Sequence, residues 1–249
     1  MSLSSLFGHR TVRAYTKDSI PQDVIDNLVK AGVRGSNTGN MQLYSIILTT
    51  DPDIKARLAP AHFNQPMVTQ APLVVTICAD INRFTHWCRL RNADAGFDNF
   101  ETFLTATIDA TIVAQNIALA TEEEGLGLCY LGTTTYNPEQ IALVLNLPHG
   151  VVPITTLTIG YPDPDKCQPN LTDRLPNRAV VHNQTYADFS DEDIDNIYAA
   201  AESDETNKRF VAENSKENLA QVFAEVRYPR ANNEAFSQKV AKWIKEQGF

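Results

Sequence analysis

Cysteine is scarce in this chain, and its few cysteines stand far apart. There are four in 249 residues, and no two of them form a Cys-x-x-Cys pair. Disulfide frameworks and zinc sites built on paired cysteines are therefore not expected. A single His-x-Cys pair, His86 and Cys88, stands without a second pair, so no metal site is expected either. We expect reduced thiols at Cys78, Cys88, Cys129 and Cys167.

Positive charge is also in short supply. Lysine and arginine total 21 against 30 acidic residues, which gives a formal net charge of -9. A nucleic acid or an anionic membrane needs a broad basic surface, so neither is expected as a partner. No apolar run approaches the roughly 18–20 residues of a membrane span. Residues 1–7 lack the basic and long apolar regions of a signal peptide, so we expect a cytoplasmic protein.

Several catalytic motifs are missing as well. There is no Gly-x-x-x-x-Gly-Lys phosphate loop and no Gly-x-Ser-x-Gly nucleophile elbow. Gly125-x-Gly127 has tyrosine where a dinucleotide fingerprint needs its third glycine, and a predicted helix precedes it instead of following it. Hydrolases, nucleotide-triphosphate enzymes and Rossmann dehydrogenases are therefore disfavoured.

The hydrophobic pattern predicts one α+β domain over residues 1–249, with a helical C-terminal extension from about residue 190. Helical and strand periodicities alternate along the chain, and no linker divides it. An extended arm with little periodicity is predicted over residues 166–188. We predict a long helix over 99–124 and strands over 43–49, 72–79, 126–131 and 151–161.

The predicted long helix has almost no polar face. Phe100, Leu104, Ile108 and Ile112 follow one another at intervals of four residues, and the next turns are apolar nearly all round. Such a helix is buried either in a large core or against a partner subunit.

The densest basic segment is His9-Arg10-Thr11-Val12-Arg13. Three potential cations in five residues of an acidic chain favour a small bound anion such as phosphate, which converging charge-assisted donors hold well. A solvated basic turn is the alternative. The order of residues resembles the flavin-phosphate segment of the FMN-dependent nitroreductase and flavin reductase family, most closely its major NADPH-type oxygen-insensitive nitroreductases.

Four further segments resemble that family in the same order. A small-residue loop, residues 35–42, ends in Asn40-Met41-Gln42 and follows the first amphipathic helix. Gln65 precedes a strand that ends in Cys-Ala-Asp-Ile-Asn-Arg. Glu124 to Thr133 matches the family's Glu-Gly-Leu-Gly…Tyr-Ile-Gly-Gly segment. Thr172 to Pro176 is similar to the arm Lys-Pro-Arg-Leu-Pro, which returns to the flavin phosphate.

The chain departs from the family pattern at three positions. Thr133 replaces the second glycine of Gly-Gly, which keeps the backbone donor and places a side chain near the pocket. Thr172 replaces the lysine of the arm, and Asp173 replaces its proline. Since a charge-assisted bond contributes roughly 1.5–3 kcal/mol, the missing lysine is expected to weaken FMN binding about tenfold or more.

The resemblance implies a nitroreductase-like central mixed sheet flanked by helices, in an intertwined homodimer with FMN at the interface and each site lined from both chains. It implies NADPH or NADH as hydride donor and ping-pong two-electron reduction of nitroaromatics, quinones or free flavin. The alternatives are a flavin reductase that supplies reduced FMN elsewhere, a dehalogenating or enoate-reducing member, and a flavin-binding module without turnover.

The resemblance also implies roles for individual residues, none of which is a general acid or base, because hydride transfer is carried by flavin N5. The FMN phosphate is assigned to His9, Arg10, Thr11 and Arg174, and flavin N1 and O2 to Arg13. The isoalloxazine ring and ribityl chain are assigned to Asn37, Thr38, Gly39, Asn40, Gln42 and Gln65. The strand Tyr130, Leu131, Gly132 and Thr133 brings backbone N–H groups of its last two residues toward N5. Lys208 and Arg209 are candidates for the 2′-phosphate of NADPH, and a plain surface charge pair is the alternative reading.

Overall fold

The computed structural model describes residues 4–167 and 171–249. The chain forms two compact units. The first comprises the chain up to Leu171 together with Lys239–Phe249, and the second is Thr172–Gln238.

The first unit is built on a four-stranded sheet in the order β1-β2-β4-β3. All three strand pairs are antiparallel. Within the described residues, the parallel pairing expected of a mixed sheet occurs only at an isolated bridge between Thr11 and Leu128. The predicted strands are confirmed to within a residue or two as β1 (Tyr44–Thr49), β2 (Leu73–Asp80), β3 (Gly127–Leu131) and β4 (Val151–Gly160).

Helices cover both faces of this sheet, and the α+β class is confirmed. The helices before the arm are α1 (Ser4–Phe7), α2 (Gln22–Gly32), α3 (Pro52–Leu58), α4 (Pro66–Gln70), α5 (Asn82–Leu90), α6 (Phe100–Glu123) and α7 (Pro138–Val144). Those after it are α8 (Asp191–Ser203), α9 (Glu205–Glu213), α10 (Leu219–Gln221) and α11 (Arg230–Glu246). A π-helix spans Val222–Arg227.

The core lies on both sides of β2. All eight of its residues are buried, as its unbroken apolar sequence predicts. One face packs with α2 and α6 around residues such as Leu28, Ile117 and Leu157. The other face packs with α3, α4 and the segment around Val12, which thereby becomes part of the core.

Helix α6 is the long predicted helix. Asn99 caps its start by accepting the Thr102 N–H at 2.9 Å, and Gly125 follows its end at a φ of +73°, a conformation that favours glycine. By length and composition α6 could cross a membrane, which corrects the expectation that no apolar run is long enough. Core helices of globular proteins reach the same length and apolar content, and 39% of the most apolar stretch of α6 is buried in the protein.

The second unit begins as an arm with little regular structure, as predicted, apart from a 3₁₀ turn at Asn177–Ala179. Residues 168–170 of the predicted arm lie outside the described residues. Helix α8 starts at Asp191, where Ser190 and Asp193 form a reciprocal capping box. Helix α8 is the first of the helices that follow the arm.

Candidate functional site

The basic N-terminal segment lies along β3. The Val12 N–H donates to the Leu128 carbonyl at 2.8 Å, and the Tyr15 hydroxyl donates to the Val12 carbonyl at 2.7 Å. A Cβ at Gly127 would stand 2.6 Å from Val12 Cγ2, so glycine is what permits this close approach. Val12 and Tyr15 are buried, while Arg10, Thr11 and Arg13 are exposed. The alternation presents the polar side chains outward.

The three basic residues of this segment have different surroundings. His9 Nδ1 lies 2.7 Å from Glu122 Oε1 of α6, which leaves Nε2 as the ring nitrogen that a ligand could use. Arg10 lines a cavity of about 350 Å³ together with Glu122. Burial raises the pKa of the Cys129 thiol, and the nearby Arg13 guanidinium opposes that rise. Arg13 is thereby placed beside β3.

The end of β3 is open on one side. Leu131 is buried, whereas Tyr130 is half-buried and its hydroxyl donates to Gln115 Oε1 at 3.3 Å. Burial raises the pKa of Tyr130 to about 12. At Gly132, which is exposed, an added Cβ would meet no heavy atom within 4 Å. A flat ligand therefore has room against the backbone at this position.

His62, which the sequence analysis did not single out, contacts both Gln65 and Thr133. Thr133 Oγ1 lies 2.9 Å from His62 Nδ1, and the Gln65 N–H donates to the His62 carbonyl at 3.2 Å. The Thr133 side chain is buried and turned toward His62, which differs from the expected place in the pocket. Burial lowers the pKa of His62 to about 4, so the imidazole is neutral at neutral pH. A lone histidine between alanine and phenylalanine gives no sequence signal of this role.

The loop Asn37–Gln42 precedes β1, at the other edge of the sheet. Gly39, Asn40 and Gln42 have φ of +57°, +56° and +54°, and non-glycine residues rarely adopt this region. Asn37 Oδ1 accepts the Gln42 N–H at 3.3 Å. The loop is therefore a fixed, strained turn in which Thr38 and Asn40 are exposed and the other side chains are half-buried.

Asp109 of α6 holds this loop in place, and the sequence analysis missed it. Its side chain is 1% exposed; Oδ1 accepts the Thr38 N–H at 3.0 Å and Oδ2 accepts the Leu43 N–H at 3.4 Å. The sequence did contain a signal of this role, an aspartate in the middle of an apolar helix. Because a buried carboxylate needs hydrogen-bond partners, such a residue indicates a contact with another segment.

We expect Asp109→Ala to destabilise the protein by about 2–4 kcal/mol, because two backbone donors lose a charged acceptor. The measurement is the free energy of unfolding in urea. Asp109→Asn keeps one acceptor oxygen and should lose about half as much. Equal stability of the alanine variant and the wild type would contradict this role.

The predicted flavin contacts of the first unit fall into two groups. We call His9–Arg13, Gln65 and Tyr130–Thr133 the β3 cluster, and Asn37–Gln42 the β1 loop. Strands β1 and β3 are the two edges of the sheet, so three strand spacings, about 14 Å, separate them. The members of the β3 cluster thus follow β3 from its beginning, where Arg10 lies with Gly127, to the turn after its end, whereas the β1 loop lies at the opposite edge of the sheet.

The remaining predicted site residues lie in the second unit. Arg174 Nη1 donates to the Thr172 carbonyl at 2.9 Å. Lys208 Nζ lies 2.8 Å from Glu205 Oε1, and Arg209 Nε lies 3.7 Å from Glu213 Oε1. Both cations of this pair thus contact acidic residues of their own helix, α9.

The sequence profile of the Nitroreductase family matches residues 6–161, which contain β1 to β4 and the whole β3 cluster. The chain belongs to the nitroreductase family. This confirms the predicted resemblance and fold.

Individual relatives agree with this membership. The "FMN reductase (NADPH)" of Bacillus subtilis is 33% identical over 190 residues, which covers 74% of each chain. A solved oxidoreductase-type structure from Bacteroides fragilis is 46% identical with a TM-score of 0.95, covering 98% of both chains. The NfrA1 nitroreductase structure from B. subtilis is 26% identical with a TM-score of 0.85, covering 99% of this nitroreductase and 98% of that chain.

Proposed function

We propose that this nitroreductase is an FMN-containing, NAD(P)H-dependent oxidoreductase. It reduces a small acceptor, such as a nitroaromatic, a quinone or free flavin, by two electrons in a ping-pong cycle. The observation that carries the proposal is the basic segment from His9 to Arg13, which is held along the beginning of β3, the strand whose other end is open at Gly132. The FMN reductase relative supports the same cofactor and donor.

The residues of the β3 cluster fit FMN. Phosphate is bound well by several converging donors, which His9, Arg10 and Thr11 supply in one short segment, and the neighbouring Arg13 is available to the ring. A flat ring system needs a backbone without a side chain in the way, and the space at Gly132 provides it. No acid or base is required of the protein, since bound FMN supplies hydride chemistry at its N5 atom.

In the proposed mechanism the protein binds and orients. His9, Arg10 and Thr11 would hold the phosphate. The Arg13 guanidinium would hold the N1 and O2 edge of the ring and supply positive charge there. The backbone N–H groups of Gly132 and Thr133 would donate to the N5 side of the ring, while Gln65 and the β1 loop would hold the ring and ribityl chain.

We propose a homodimer in which each flavin site takes its β3 cluster from one chain and its β1 loop from the other. The separation of the two groups at opposite sheet edges supports this arrangement. So does the outer face of α6, where Phe100, Leu104 and Ile108 are 64%, 48% and 58% exposed; a large exposed apolar face of this kind is typical of an interface. A cytoplasmic location completes the proposal, with no nucleic acid or membrane as partner.

NADPH is the proposed donor, with Lys208 and Arg209 as the contacts of its 2′-phosphate. On binding NADPH, these two side chains would exchange their contacts with Glu205 and Glu213 for contacts with the phosphate. We expect Arg209 to contribute most to the preference for NADPH over NADH. Because an exposed ion pair contributes little to the free energy of unfolding, breaking these two pairs costs little free energy.

The test is the visible absorption spectrum of the purified protein before and after anaerobic NADPH. We expect a flavin spectrum that bleaches, faster with NADPH than with NADH. Arg209→Ala should reduce the ratio of the two rates, whereas Arg230→Ala, which also breaks a helical arginine–glutamate pair, should not. A flavin that stays oxidised with both donors would favour a binding module without turnover, and a protein that cannot be loaded with FMN would refute the proposal.

A further inference from the structure

His62 lies between two of the proposed flavin contacts and hydrogen-bonds both. Its side chain is fully buried, its Nδ1 lies 2.9 Å from Thr133 Oγ1, and its carbonyl accepts the Gln65 N–H at 3.2 Å. A single residue thus connects the turn at the end of β3 with the segment that carries Gln65.

Of the two possible directions of the hydrogen bond between His62 and Thr133, one is favoured. The other ring nitrogen of His62, Nε2, is buried and has no hydrogen-bond partner among the described residues. An unpaired buried N–H is rarer than an unpaired acceptor, so the arrangement with the proton on Nδ1 costs less. In that tautomer the imidazole donates to the Thr133 hydroxyl oxygen, and Nε2 carries only a lone pair. Because the His62 side chain is fully buried, no water replaces this bond when it is lost, and its loss would be destabilising.

The backbone after His62 is strained in a way that brings Gln65 to this position. Phe63 and Asn64 have φ of +53° and +54°, and a bulky residue such as phenylalanine rarely adopts that region. Such strain persists only where the surrounding contacts enforce it, and it concentrates at functional sites. A second hydrogen bond, from Asn137 Nδ2 to the Ala61 carbonyl at 3.0 Å, connects the same segment to the residues that follow β3.

We propose that His62, acting through Thr133, is a positioning residue for the flavin. This inference rests on the proposed function. Where the resembling enzymes have two glycines, this chain has Gly132 followed by a threonine whose side chain is anchored in the interior. The anchor pre-orders the N–H groups of the turn before the ligand arrives, so less conformational freedom is lost on binding.

Thr133→Val tests the anchor, because it removes the hydroxyl at nearly constant volume. We expect the Kd for oxidised FMN to rise about tenfold. Reduced FMN carries more negative charge toward the ordered donors, so its Kd should rise by a further factor of about ten, which lowers the two-electron midpoint potential of bound FMN by about 30 mV. Thr133→Ser keeps the hydroxyl and should behave like the wild type.

Two substitutions of the histidine provide a matched pair. The amide of His62→Asn lies near the position of Nδ1 and should restore most of the affinity and potential, whereas His62→Gln places its amide near Nε2 and should not. Combined with Thr133→Val, the glutamine variant should add little further loss, since both remove the same bond.

The outcomes separate this inference from the proposed function. A wild-type protein that does not bind FMN refutes the proposed function itself. A wild type that binds FMN, with a folded Thr133→Val of unchanged Kd and potential, refutes only the positioning role; a loss confined to the unfolding free energy in urea refutes it too. If the valine variant does not fold, Thr133→Gly replaces it, and unaltered FMN binding by that variant gives the same refutation.

Discussion

Gly132→Val is expected to raise the Kd for FMN about 100-fold or more while the protein stays folded, which corresponds to a loss of about 2.7 kcal/mol of binding free energy. The reason is that the protein leaves free space at Gly132, whereas a bound flavin ring would fill that space. An added Cβ meets no heavy atom of the protein within 4 Å, so the fold tolerates a side chain there. A flavin ring against the strand end would occupy the same space. The measurement is FMN titration by flavin fluorescence, with circular dichroism to monitor folding.

A matched control for this substitution exists elsewhere in the chain. Gly96 also has open space around its Cβ position but lies in the loop between α5 and α6. Gly96→Val should therefore bind FMN like the wild type. Wild-type affinity in folded Gly132→Val would show that the ring does not lie against this strand end.

Removing both arginines of the basic N-terminal segment should produce the other large effect. A hydrogen bond to a charged group contributes about 1.5–3 kcal/mol, so Arg10→Ala and Arg13→Ala should each raise the Kd for FMN about 10- to 100-fold, and the double variant about 1000-fold. Lys17→Ala removes an exposed cation from the same region and should have little effect.

Riboflavin, which lacks the phosphate, separates the two arginines. Arg10→Ala should weaken FMN and leave riboflavin unchanged, because Arg10 is assigned to the phosphate. Arg13→Ala should weaken both, because Arg13 is assigned to the ring. Arg10→Lys should recover only part of the loss, since lysine lacks the planar fork of donors. If FMN and riboflavin respond alike to Arg10→Ala, the phosphate lies elsewhere.

The sequence determined the family and most of the elements of this nitroreductase. Periodicity placed α6 and the four strands, because those segments bury whole faces and their patterns are strong. The order of short motifs identified the family, and the scarcity of paired cysteines and basic surface argued against several other classes. These are local properties, readable without knowing which segments meet.

Tertiary structure decided which of those segments meet. Only the strand order puts the β1 loop and the β3 cluster at opposite edges, because hydrogen-bond pairing between distant segments has no local signature. Only packing shows that Asp109 holds the loop and that His62 holds Thr133. Both are single polar residues in apolar surroundings, and their roles depend on partners 66 or more positions away along the chain.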